Sequence, residues 1–116
     1  MTQNQHNISD LRISYTKAKL NIEETDPCPI KQFKKWLNEA IEAKTAEATA
    51  MSLATVNEEG QPSVRTVLLK DYNSEGFVFY TNYESRKASE IDFNPSVGIC
   101  FLWKELERQV TITGSA

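Results

Sequence analysis

The sequence predicts a mainly β fold with flanking helices, built on an antiparallel sheet that curls towards a barrel. Three observations carry that expectation. Apolar residues recur with helical spacing as far as Lys44, and from Ala50 the period changes to two. Beyond that point, short β-type runs are separated mostly by tight turns rich in Gly, Asn, Asp and Ser. One further helix, Ser85–Phe93, interrupts the strands and stops before Asn94-Pro95, because proline disfavours a helical residue before it.

Taken in order, residues 1–7 form a polar tail with nothing to anchor it. Ile8, Leu11 and Tyr15 recur at i, i+3 and i+7, which predicts a short amphipathic helix with Arg12 beside its apolar stripe. The polar stretch Asn21–Thr25 closes this tail and helix (1–25) ahead of a single domain over 26–116. Asp26-Pro27 reads as a helix start, with Asp as N-cap and Pro at the first helical position. Ile30, Phe33, Leu37, Ala40, Ile41 and Lys44 then give the packing stripe, with Trp36 in the core or at a subunit contact. Strands are expected at Met51–Val56, Pro62–Lys70, Gly76–Thr81, Val97–Trp103 and Arg108–Thr113. A hairpin loop at Asn57–Gly60 and a turn over Asp71–Gly76 separate the first three.

Composition narrows the function classes. With 116 residues there is room for one modest core. A net charge of −3 disfavours a general nucleic-acid binder. No apolar run approaches the ~18 residues that span a bilayer, and the N-terminus has neither a basic nor an apolar leader region. Cys28 and Cys100 lack metal-type spacing and read as free thiols in a reducing cytoplasm. His6 is the one histidine and lies in the polar tail, so neither a metal site nor a histidine-based triad is expected.

The chemistry concentrates between Arg65 and Lys87. Alternation puts Arg65, Val67 and Leu69 on one strand face and Thr66, Leu68 and Lys70 on the other. A cation therefore sits at each end of an apolar strand, where it needs solvent or an anion. Ser85 is a good N-cap, yet Arg86 and Lys87 occupy a first turn where the helix dipole prefers acidic residues. A bound phosphate resolves that conflict, since free backbone N–H groups and both cations converge on it.

Five runs appear in register: Leu11-Arg12-x-x-Tyr15, Arg65-x-Val67-Leu68-Leu69-Lys70, Gly76-Phe77-x-Phe79-Tyr80-Thr81-Asn82, Ser85-Arg86-Lys87-Ala88 and Trp103-x-x-Leu106-x-Arg108-Gln109-Val110. Together they closely resemble the pyridoxamine 5′-phosphate oxidase family, from about Leu11 to Gly114. The resemblance implies an FMN-binding split β-barrel, incomplete here at its C-terminal side, in a homodimer with FMN at the subunit interface. It implies oxidation of pyridoxamine or pyridoxine 5′-phosphate to pyridoxal 5′-phosphate. A hydride equivalent passes to FMN N5, and oxygen reoxidises the flavin with release of hydrogen peroxide. Arg65, Arg86 and Lys87, with Ser85, would hold the FMN phosphate. The backbone of Arg65, Thr66, Val67, Leu68, Leu69 and Lys70 would line the flavin, with Tyr80 and Thr81 at a strand end and Gln109 bonded to a flavin edge. Lys70 would meet the substrate phosphate, and Arg12 and Tyr15 would close over the substrate. No residue is expected to act as a catalytic acid or base.

Two departures stand beside the resemblance. Ala48 and Glu47 replace a common Pro and Asp before the first strand. The family chain is also considerably longer, its second half carrying further FMN contacts, most of the substrate-phosphate site and an Arg-x-His pair. The sequence therefore reads as an N-terminal portion. The rival readings are a non-catalytic flavin- or phosphate-ligand-binding barrel and a related flavin reductase. The Trp103–Val110 run and the Arg12/Tyr15 segment favour the oxidase over the reductase.

Overall fold

The computed structural model describes residues 7–11, 20–81 and 85–116. In chain order these form α1 (Pro29–Glu42), β1 (Ala50–Val56), β2 (Pro62–Leu68), β3 (Asp71–Asn73), β4 (Gly76–Val78), α2 (Arg86–Phe93), β5 (Ser96–Trp103) and β6 (Arg108–Ser115). Four strands make an antiparallel sheet in the order β2-β1-β5-β6, and β3-β4 is a separate hairpin. Among the described residues the architecture is mainly β with two α-helices, which bears out the mainly β, antiparallel expectation. Within the described residues, however, the sheet does not close into a barrel. Of the expected N-terminal helix, Ile8–Leu11 is a 3-10 turn with no buried residue, and Arg12 and Tyr15 lie outside the described residues.

Helix α1 starts two residues later than the sequence suggested. Cys28, not Asp26, is the N-cap, and Pro29, not Pro27, takes the first turn. The reason is that Pro29 forces Cys28 out of the helical region (ψ 117°), so no helix begun at Pro27 could pass through it. Asp26 still contributes, its Oδ1 accepting from the Cys28 N–H at 2.9 Å. The helix ends at Glu42, and Lys44 sits at φ 56°, so Lys44 is not part of the stripe. Phe33, Leu37 and Ala40 are buried, whereas Ile41 is exposed.

Partners across antiparallel strands share a face, so the register sorts the sheet into two sides. Leu53 pairs with both Arg65 and Ile99, and Ile99 with Ile112. This inner side carries Met51, Leu53, Thr55, Phe101 and Trp103 and packs on α1 and the β3-β4 hairpin. Phe33 is the hub, its ring centroid 5.0 Å from those of Tyr72 and Phe77 and 5.1 Å from that of Phe101. Trp103 Nε1 donates to the Ala48 carbonyl at 2.8 Å, tying β5 to the loop before β1. Trp36 packs against this core, and the Arg108 guanidinium lies 4.7 Å from its ring centre.

The outer side has rows Thr66–Ser52–Cys100–Thr111 and Val64–Ala54–Gly98–Thr113, with Leu68, Leu102 and Gln109 beyond them. No charged residue stands among these positions, and Val64 (67%) and Leu102 (63%) are well exposed.

Two segments differ from expectation. Asp71–Asn73, read as part of a turn, is a strand: Asn73 Oδ1 accepts from the N–H groups of Glu75 and Gly76, so the reversal needs only Ser74 and Glu75. The strand expected over Gly76–Thr81 ends at Val78, leaving Phe79, Tyr80 and Thr81 outside any ladder. The β1-β2 loop is as anticipated, with Gly60 at φ 81° and Asn57 Oδ1 accepting from Glu59 and Gln61. No helix among the described residues is long and apolar enough to cross a membrane.

Candidate anion site

The site grows out of the corner where α2 crosses the β1-β2 hairpin. Thr55 and Ser63 are cross-strand partners there, with Leu53 and Arg65 the next pair on the same face. Ser85 caps α2, its Oγ accepting from the Ala88 N–H at 3.2 Å and lying 3.3 Å from Thr81 Oγ1. Ala88 is buried, and its small side chain lets the helix lie close to β1. That approach carries Glu90 into the corner, where only 4% of it is exposed.

Burying a carboxylate is costly unless it is paired and hydrogen-bonded. Glu90 is both. Its Oε2 accepts from Thr55 Oγ1 and from an Arg65 terminal nitrogen at 3.3 Å, and its Oε1 from Ser63 Oγ at 3.2 Å and Arg86 Nε at 3.3 Å. The Thr55 hydroxyl does most to hold the Glu90 carboxyl below its ordinary value of 4.5. Burial works against it, and Ser63 and Arg65 add to the lowering. Arg65 is further fixed by the Leu53 carbonyl at 3.2 Å and by Thr55 Oγ1 at 2.7 Å. The anion that Arg65 needed on sequence grounds is thus Glu90. Arg86 is different: its Nε is held, but its side chain is 75% exposed, and among the described residues its terminal nitrogens are uncommitted.

Of the sequence-derived candidates, the structure brings Arg65, Ser85 and Arg86 to this corner, and Lys87, half-buried, follows Arg86 in the first turn of α2. Val67 and Leu69 point inward with Arg65, Leu69 being buried. Thr66 and Leu68 are exposed on the outer side. Lys70 is exposed just past β2, its N–H donating to the Val78 carbonyl at 2.8 Å. Tyr80 is 75% exposed, and Thr81 is half-buried against Ser85. Gln109 is on the outer side of β6, its Nε2 3.4 Å from Thr111 Oγ1, on a different edge strand from Arg65. The residues sequence reasoning missed are Glu90, Thr55 and Ser63. Two signals were present: the i,i+4 spacing of Arg86 and Glu90, and a threonine continuing the buried run Met51, Leu53, Thr55.

The donor set fits a phosphate monoester. Arg65 and Arg86 pair with one buried carboxylate, and Lys87 in the first turn of α2 brings the local balance to two net positive charges, close to the charge of about −2 on such a group near neutrality.

By backbone, the chain shares its mainly β fold with proteins of known structure. It superposes on PhzG from Burkholderia lata, solved with tetrahydrophenazine-1-carboxylic acid, with a TM-score of 0.78 and 32% identity over 84% of this chain and 50% of that one. It also shares its fold with a pyridoxamine 5′-phosphate oxidase-related, FMN-binding protein of Nostoc punctiforme (TM-score 0.65, 23% identity, 78% of this chain and 47% of that one). The family model described as pyridoxamine 5′-phosphate oxidase matches residues 37–116, and the chain belongs to that family. It is 53% identical over 107 residues to the pyridoxine/pyridoxamine 5′-phosphate oxidase of Bordetella pertussis, covering 92% of this chain and 51% of the relative. The counterpart in Crocosphaera subtropica is 52% identical over 109 residues, covering 94% and 51%. The chain therefore spans about half the length of the curated relatives it matches.

Proposed function

We propose that this chain is the FMN-binding portion of a pyridoxine/pyridoxamine 5′-phosphate oxidase. The carrying observation is the cation pair at the start of α2, which lies inside the family-matched segment and in which the Arg86 terminal nitrogens have no partner among the described residues. In this reading Arg86 and Lys87 bind the FMN phosphate from the helix start, Arg65 lends its charge from β2, and Ser85 keeps the first turn closed. The Arg65–Lys70 backbone and Tyr80-Thr81 flank the flavin, and Gln109, on the outer side of the opposite edge strand, bonds a flavin edge across the subunit interface of the homodimer. Lys70 takes the substrate phosphate, with Arg12 and Tyr15 closing from the 1–25 segment onto the 26–116 domain. FMN, when bound, supplies the redox chemistry; these residues supply binding, orientation and charge. The substrate is pyridoxamine or pyridoxine 5′-phosphate, and a homodimer in the cytoplasm belongs to the same reading.

The test compares FMN with riboflavin, which lacks the phosphate. A charge-assisted hydrogen bond contributes about 1.5–3 kcal/mol. The exposure of Arg86 puts it at the lower end, so Arg86→Ala should weaken FMN binding about tenfold and leave riboflavin nearly unaffected. Equal losses for the two flavins would remove the phosphate from this corner. The likeness to PhzG supports a second reading, in which the same cradle serves a different aromatic substrate. Peroxide release on adding pyridoxamine phosphate, compared with a phosphate-free aromatic donor, separates the two.

A further inference from the structure

We propose that Glu90 is a positioning residue of the phosphate cradle: from its buried seat it fixes the Arg86 guanidinium through Nε and ties it to Arg65, so that the outward face of Arg86 is set before any ligand arrives. The inference rests on the flavin-phosphate reading above. Glu90 divides its two oxygens between different elements. Oε2 serves β1 and β2 through Thr55 and Arg65, and Oε1 serves Ser63 of β2 and Arg86 of α2. A long, exposed arginine loses rotamer freedom when a ligand immobilises it. Here the bond at Nε has already removed part of that freedom, and it leaves the two terminal nitrogens as the pair suited to a bidentate phosphate contact.

Glu90 also has an opposing effect, because its negative charge lowers the positive potential felt by a phosphate. The geometry decides between the two effects. Arg86 is mostly in solvent, where charge–charge energies are strongly damped, whereas the orientation imposed at Nε is direct. Orientation therefore dominates.

The experiment measures FMN and riboflavin affinities by fluorescence quenching on the full 116-residue chain, as wild type, Glu90→Ala, Glu90→Gln, Arg86→Ala and the Glu90→Gln/Arg86→Ala double variant. The expected result is an FMN affinity about tenfold lower in Glu90→Ala with riboflavin changed by less than about twofold. Glu90→Gln should show a smaller shift in the same direction, and the glutamine should cost less in the Arg86→Ala background than in wild type. If Glu90→Ala does not fold, the glutamine cycle decides. Equal losses for both flavins would make Glu90 purely structural, a rise in FMN affinity would make it only a counter-charge, and strict additivity with Arg86 would disconnect the two; each overturns the proposal. A loss in Arg86→Ala with no effect at Glu90 sinks this inference alone. No preference of the wild type for FMN over riboflavin sinks the site reading as well.

Discussion

Glu90 carries its charge into a corner from which water is nearly excluded, and two hydroxyls and two guanidinium groups meet it there. Its carboxyl is held below 4.5, so the folded state binds this proton less readily than the unfolded chain does. The resulting stability is fully present above the unfolded value and is lost as pH falls through the folded one. Urea denaturation should accordingly show wild type losing its advantage over Glu90→Gln as pH drops below about 4.5; a gap that stays constant down to pH 3 would contradict this. The sequence revealed half of this corner. Alternation along Arg65–Lys70 told which way Arg65 faces, and the Ser85 cap and the start of α2 at Arg86 were also legible. The buried carboxylate stayed hidden because three of its four partners come from other elements, and a single glutamate on a helix reads as a solvated charge.

Among the elements, α1 shows how packing fixes what periodicity only suggests. Phe33 touches the β3-β4 hairpin through Tyr72 and Phe77 and the main sheet through Phe101 and Trp103, so one side chain joins both sheets to the helix. Phe33→Ala should cost about 3–5 kcal/mol in chemical denaturation, because no single neighbour can fill the space left among four rings. A loss below about 1 kcal/mol would mean the ring is not the hub. Helix existence, strand alternation and the Gly60 loop were legible, since each follows from local chemistry. The start of α1 was missed because two prolines competed for one role. The β3 strand was missed because Asp, Asn, Ser and Gly announce a reversal without saying how long its arms are.

For the whole molecule, the informative contrast is between the sheet's two sides. The inner side is packed by α1, α2 and a hairpin, whereas the outer side presents an uncharged surface with exposed Val64, Leu68 and Leu102, flanked by β2 and β6 as edge strands. Exposed apolar surface beside unpaired strand edges recruits another chain. We therefore expect a homodimer or larger assembly in light scattering, and expect Leu102→Lys to shift it towards monomer. A wild-type monomer at high micromolar concentration would refute the expectation.

The bonds of Glu90 also define how little of the chain can be removed before the anion corner ceases to exist. Only Arg86 lies within a turn of it; Arg65, Ser63 and Thr55 are 25, 27 and 35 residues away in sequence. A peptide reproducing α2 would keep the Arg86–Glu90 pair in water, where such pairs contribute little, and an excised β1-β2 hairpin would keep Arg65 without its anion. The corner therefore draws on the whole stretch from β1 through α2, with β5 pairing β1 along its other edge and α1 packed in the same core.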